Sequence, residues 1–150
     1  MTATVGQWLA AHPRRLALLT GEPTVAQAMA LMLAEPGRRD VYVVADGVPV
    51  GHIALRRLAS VALASYLPRP TRGELLVQAE AAQAGAFVEQ HFPLAREDEP
   101  LEVVIHRLLE ADVQEMPVLT AAADRLLGGL DLLDVLREQQ ALMATAAPDS

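Results

Sequence analysis

The sequence predicts an α+β protein made of two copies of one strand-helix-strand-strand-helix unit. Three observations predict it. Two stretches of the chain carry the same features in the same order, each copy switches from helical to strand-like periodicity at the same places, and the apolar content is that of a globular core. Val25, Met29, Met32 and Leu33 stand at i, i+4, i+7 and i+8. Leu101, Ile105, Leu108 and Leu109 repeat that spacing 76 residues later. Such spacing is one apolar face of a helix. Hydrophobic residues make up 52% of the 150-residue chain and aromatic residues only 3%, so the core must be aliphatic.

The first copy opens with "LALLT" as a strand and Thr24 with Gln27 as a capping box, where side chain and backbone satisfy each other at a helix start. "DVYVV" at 40–44 reads as a strand, "ADGVP" as a turn, and a second run ends at Gly51 before the helix "ALRRLASVALASY". The second copy opens with "FPLAREDEP". Asp98, Glu99 and Pro100 mark its helix start without revealing which residue caps it. "EMPVL" at 115–119, the turn "TAAADR", Gly128 and the helix "DLLDVLREQQALMA" follow. Pro68, Pro70 and Gly73 break the chain between the copies. "VGQWLAAH" and "AFVEQHF" precede the copies at matching places and are expected to be lead-in helices. The expected division is a first unit at 1–67 with its lead-in helix, a partly helical linker at 68–86, a second unit at 87–143 and a frayed tail at 144–150. One such unit buries its sheet poorly alone, so the two are expected to pack sheet to sheet.

Charge and composition exclude several functions. A net charge of −7 opposes a phosphate-tracking surface for nucleic acid, and the scarcity of aromatics removes a stacking platform. The absence of cysteine removes disulfides, thiolate metal sites and cysteine nucleophiles. No apolar run reaches the roughly 18–20 residues of a membrane span, and the start lacks a signal-peptide pattern. A cytoplasmic protein with no direct membrane insertion is expected. No nucleophile elbow, Gly-rich phosphate loop or HExxH is found, so no enzyme is expected. His106 with Glu110, at i and i+4, lacks a second histidine and reads as a surface pair. "REDEP" at 96–100 reads as a solvated acidic run.

The apolar helix after a Thr/Pro start, the "MPVL" strand at 116–119 and "LLGGLDLLDVL" at 126–136 together resemble tandem CBS domains, the Bateman module. The resemblance covers roughly residues 5–140. It implies two β-α-β-β-α units packed sheet to sheet about a pseudo-two-fold axis, commonly dimerising. It also implies a regulatory, non-catalytic module binding AMP, ADP, ATP, S-adenosylmethionine or a related adenosyl ligand in a cleft between units, and regulating an enzyme or transporter. The alternatives are a structural dimerisation module with degenerate clefts, or the cytoplasmic regulatory part of a transporter or channel. Homodimerisation is expected through the second helices, near Leu58, Val61 and Leu132, Val135, Leu136.

Carried over residue by residue, the resemblance puts the family's Ser/Thr position on Asp131 and its ribose-binding Asp on Asp134. In the first copy the same positions fall on Ala54 and Arg57, so both polar groups are gone there. Asp134 offers two acceptor oxygens to a ribose diol, or else is a first-turn acid favoured by the helix dipole. Asp131 suits a helix cap. Gly128 and Gly129 would leave room for a ligand near the backbone, with Leu130 continuing the apolar wall. Met116, Pro117 and Val118 would line a purine pocket or simply be core. Arg56 and Arg57 would meet a phosphate at the first cleft, or form a solvated helix face.

Overall fold

The computed structural model describes residues 3–63 and 88–146. The chain divides into two compact units, Leu16–Phe92 and the combination of Met1–Arg15 with Pro93–Ser150. The first holds a sheet of β1 (Leu18–Thr20), β2 (Asp40–Ala45) and β3 (Val48–Ala54), with helices α2 (Val25–Ala34) and α3 (Leu55–Ala62). The second holds β4 (Ala95–Arg96), β5 (Glu115–Leu119) and β6 (Leu126–Asp131), with α1 (Val5–Ala11), α4 (Leu101–Glu110) and α5 (Leu132–Ala146). In each sheet the first strand pairs parallel with the second, and the second pairs antiparallel with the third. The fold class is the α+β repeat the sequence predicts.

The division differs from the expected one. Helix α1 belongs with the second repeat: the Val5 and Gly6 amides donate to the carbonyls of Glu99 and Glu97, and Val5, Trp8 and Leu9 are part of that unit's core. The described part of the other lead-in, 88–92, is extended rather than helical and belongs with the first repeat. Glu89 and His52 exchange backbone hydrogen bonds at 2.8 and 2.9 Å along the free edge of β3. Each lead-in thus covers the third strand of the other repeat, because that strand's outer edge is where an unpaired row of amides and carbonyls needs partners. The expected linker at 68–86 lies outside the described residues.

The cores follow the helical period with one shift. Val25, Ala28 and Met32 are buried on α2, and Val104 and Leu108 on α4. The expected fourth members, Leu33 and Leu109, are 77% and 57% exposed. They lie eight residues past the face's start, about 80° around the helix from it. Leu58, expected at a dimer face, is 1% exposed and sits in the first unit's core, while Leu132 and Val135 pack against the second unit's core.

The glycines expected to end the third strands sit inside them, at Gly51 of β3 and Gly128 of β6. Thr24 and Gln27 form the predicted capping box, and Thr4 with Gln7 forms a second at α1. Helix α4 starts on Pro100 with no side-chain cap bond. Glu99 instead accepts from the Arg96 amide at 2.9 Å and from the Arg107 guanidinium.

Pro117, in the central strand β5, explains a difference between the sheets. Its counterpart by register is Tyr42, whose amide donates to the Ala17 carbonyl at 2.9 Å. Proline has no amide to give. Strand β4 accordingly spans 2 residues where β1 spans 3.

The hairpin turns differ too. Asp46 and Gly47 both have positive φ, 53° and 80°, as a type I′ turn requires. In the second repeat Ala123 takes φ 60°. That conformation costs an L-residue roughly 1–2 kcal/mol and glycine almost nothing. Ala123→Gly is therefore expected to stabilise the protein by about 0.5–1 kcal/mol after the added freedom of the unfolded chain is subtracted. Scanning calorimetry measures it, and a lower melting temperature would contradict it.

Candidate functional site

Strand β6 hands the chain to α5 at Asp131, and the candidate site is built on that corner. Hairpin register places Asp131 opposite Glu115, and both carboxylates are buried, 7% and 4% exposed. Two buried carboxylates on paired positions need a cation. Arg14, from the lead-in, supplies it. Its Nε donates to Glu115 Oε2 at 2.6 Å and its Nη1 lies 3.6 Å from Asp131 Oδ2. The arginine is delivered by the backbone, since the Gly129 amide donates to the Arg14 carbonyl at 3.1 Å. Asp134 stands in the first turn of α5, its side chain 27% exposed, with Oδ1 3.3 Å from Arg137 Nη1.

Burial pushes the Asp131 carboxyl above its ordinary pKa. Arg14 pulls it back, the charge of Asp134 reinforces it, and a hydrogen bond from the Leu133 amide and the charge of Arg137 oppose it, but the balance stays upward. Burial works against the charge on Arg14 as well. There the hydrogen bond and charge of Glu115, with Asp131 and Asp134 behind them, outweigh it and hold the guanidinium more firmly protonated.

A raised carboxyl pKa has a definite linkage. Between the unfolded value and the raised native value the native state binds the proton more tightly, so stability falls as pH rises through that window. Asp131→Asn carries no charge at any pH. It is expected to raise the melting temperature at pH 7, with the gain shrinking as pH drops below the raised pKa. Melting curves across that range test this; a variant less stable at pH 7 than at acid pH, relative to the parent, would contradict it.

The space expected beside Gly128 is taken by the chain itself. A Cβ at 128 would lie 2.8 Å from the Arg14 carbonyl oxygen and 3.2 Å from a δ-carbon of Leu9. Met116, Val118 and Leu130 are wholly buried members of the core, and Pro117 is buried with them. They fix where the corner stands and expose no side-chain surface to a ligand. A hollow of about 960 Å³ runs beside α1, Pro13, Glu97 and Leu127, with Arg14 on its wall, and neither Asp131 nor Asp134 lines it.

In the first repeat the equivalent register pair is Asp40 and Ala54. Asp40 Oδ1 lies 2.6 Å from His52 Nε2. Arg56 and Arg57 are exposed at the start of α3, with Arg57 Nε 3.6 Å from Glu89 Oε1. They belong to a different unit from Asp131 and Asp134.

Sequence reasoning missed Arg14 and Glu115. The signal for Glu115 was its place at the head of "EMPVL", directly across the hairpin from Asp131. Arg14 left no such signal, because it comes from a lead-in assigned to the other repeat. Among the described residues no cluster of potential metal ligands forms, and no helix is long and apolar enough to cross a membrane.

No family model and no curated protein matches the chain. Solved structures do. The CBS-pair protein CBSX2 from Arabidopsis thaliana superposes with a TM-score of 0.72 at 19% identity, over 96% of this chain and 99% of that one. Its complex with AMP also matches, with a TM-score of 0.68 at 19% identity, over 93% of this chain and 98% of that one. The CBS domain pair of protein MJ0100, in complex with 5′-methylthioadenosine and S-adenosyl-L-methionine, gives a TM-score of 0.68 at 17% identity over 95% and 99%. The cytosolic domain of the Mg²⁺ channel MgtE, in complex with ATP, gives 0.59 at 20% identity over 82% of this chain and 44% of that one. At such identities the likeness is one of fold: the chain has the fold of a tandem CBS-domain pair.

Proposed function

We propose that this CBS-pair fold serves as a ligand-sensing regulatory module that binds an adenosine-containing ligand at the strand–helix corner of the second repeat. The observation that carries the reading is Asp134. It is a reachable carboxylate in the first turn of α5, at the place where the resemblance puts the family's ribose acceptor. Complexes of this fold with AMP, with 5′-methylthioadenosine and S-adenosylmethionine, and with ATP support the ligand class. The channel domain among them supports a regulated enzyme or transporter as the partner. Catalysis forms no part of the proposal.

A thermal-shift series with adenosine, 5′-methylthioadenosine, S-adenosylmethionine, AMP, ADP and ATP tests it. A ligand at about one hundred times its Kd stabilises by roughly 2.7 kcal/mol, a shift of several degrees for a chain of this size. No shift with any of them would remove the reading.

The second reading, a dimerisation module with degenerate clefts, is favoured by α5. Leu133, Leu136 and Met143 are 48%, 54% and 64% exposed and lie within about 80° of one another around the helix, an apolar face that a second copy would cover. A homodimer is compatible with both readings, and ligand binding separates them.

A further inference from the structure

His12 ends helix α1 where three contacts converge on one imidazole. The ring lies flat on the indole of Trp8, with centroids 3.8 Å apart and planes 15° from parallel. Its Nδ1 is 3.2 Å from the Trp8 carbonyl oxygen. Its Nε2 is 3.4 Å from Glu138 Oε2, in the second turn of α5. A carbonyl oxygen and an ionised carboxylate can only accept, so both ring nitrogens face acceptors, while a neutral imidazole carries one N–H. With Nδ1 donating to the carbonyl, only a second proton, on Nε2, turns the approach to Glu138 into a bond. The stack favours the same state, because a cation is drawn to an aromatic face.

We infer that His12 is a protonation-dependent clasp between the lead-in helix α1 and helix α5. It closes on Glu138 when the ring is charged and is released when the ring is neutral, since the Nε2 lone pair then faces a carboxylate. The clasp therefore contributes at acid pH and is lost as pH rises. The surrounding charges leave this role to Glu138. Helix α1 itself carries none. Strand β4 and helix α4 meet α1 at its start, through the Glu97 and Glu99 carbonyls. There Arg107 is paired with Glu99 and His106 with Glu110, with Arg96, Asp98 and Glu102 alongside. Arg14, ahead of Arg15 in the lead-in, is bonded to Glu115 of β5 and lies 3.6 Å from Asp131 at the end of β6. On α5, Arg137 is turned to Asp134, one turn before Glu138.

Trp8 is the only tryptophan, and an imidazolium against an indole quenches its fluorescence. Emission from the full chain is expected to rise as pH is raised across the range in which histidine charge changes, about pH 5–8. His12→Gln should abolish the rise. Glu138→Gln should move it to lower pH, because the charged ring loses its counter-charge. The side chains of His12 and Glu138 are 31% and 43% exposed, so neither variant threatens the fold. Hydrogen exchange reads the clasp itself. At the acid end the His12 amide, bonded to the Trp8 carbonyl at 2.8 Å, is expected to exchange up to about fivefold faster in Glu138→Gln than in the parent, the range for a half-exposed ion pair. At the alkaline end the two should match. No rise in the parent, a rise that survives His12→Gln, or a transition and exchange that Glu138→Gln leaves unchanged would each overturn the inference. None of these outcomes bears on the proposed ligand binding, which the clasp does not require.

Discussion

Gly128→Ala is expected to destabilise the protein by about 1–3 kcal/mol, the range for forcing an extra carbon into a packed position. The added Cβ would meet the Arg14 carbonyl oxygen at 2.8 Å and both δ-carbons of Leu9 at 3.2 and 3.3 Å. The oxygen is backbone, and it is pinned by the Gly129 amide at 3.1 Å. It cannot swing aside as a side chain would. Replacing glycine stiffens the unfolded chain and returns about 0.4–1 kcal/mol, which offsets only part of the loss. Gly51→Ala is the internal comparison. Its Cβ would meet a γ-carbon of Val88, a β-branched side chain stiff at χ1 and packed against the first unit's core, so a loss of the same order is expected there. Calorimetry gives the stabilities. Hydrogen exchange gives the mechanism, since the His12 amide bonded to the Trp8 carbonyl should exchange faster once the lead-in is pushed off β6. Equal stability of parent and Gly128→Ala would mean that the lead-in does not rest on this strand.

That glycine also marks the boundary of what the sequence discloses. Periodicity found the helices and strands, because burial acts on each residue's own place in its element. Thr24 with Gln27 and "EMPVL" were legible for the same reason: their partners lie within a few residues or in the next strand. Gly128 was legible as a close approach but not as to what approaches. The answer, Leu9 and Arg14, lies more than a hundred residues earlier in the chain. The exchange of lead-ins was hidden for the same reason. "VGQWLAAH" carries an amphipathic pattern that fits either repeat, and only the free edge of β6 and the core around Trp8 decide between them. The candidate site was half legible. Asp131 and Asp134 follow from the strand–helix pattern, whereas the ion pair that organises them follows from the register of β5 against β6 together with that exchange.

Asp134→Ala is expected to weaken binding of an adenosyl ligand ten- to hundred-fold while leaving the fold nearly intact. A ribose diol donating to a carboxylate makes hydrogen bonds to a charged acceptor, worth about 1.5–3 kcal/mol, and each 1.4 kcal/mol is roughly tenfold in affinity. Stability should change little, because the contributions are small and opposed. A first-turn acid gains about 0.3–1 kcal/mol from the helix dipole, and an exposed pair such as that with Arg137, 3.3 Å apart, adds roughly 0–1 kcal/mol. Against these, the charge of Asp134 is one of the influences that raise the Asp131 pKa, so its removal eases the burial of the Asp131 carboxylate. Asp131→Asn probes the other half of the corner and acts mainly on stability, in the pH-dependent manner derived above. Titration calorimetry on Asp134→Ala with the ligand that stabilises the parent most, beside a melting curve, reads both quantities from one preparation. Unchanged affinity would make Asp134 an ordinary helix-start acid and leave the ribose to another acceptor. A collapse of stability would mean that the Arg137 contact and the dipole matter far more than their exposure allows.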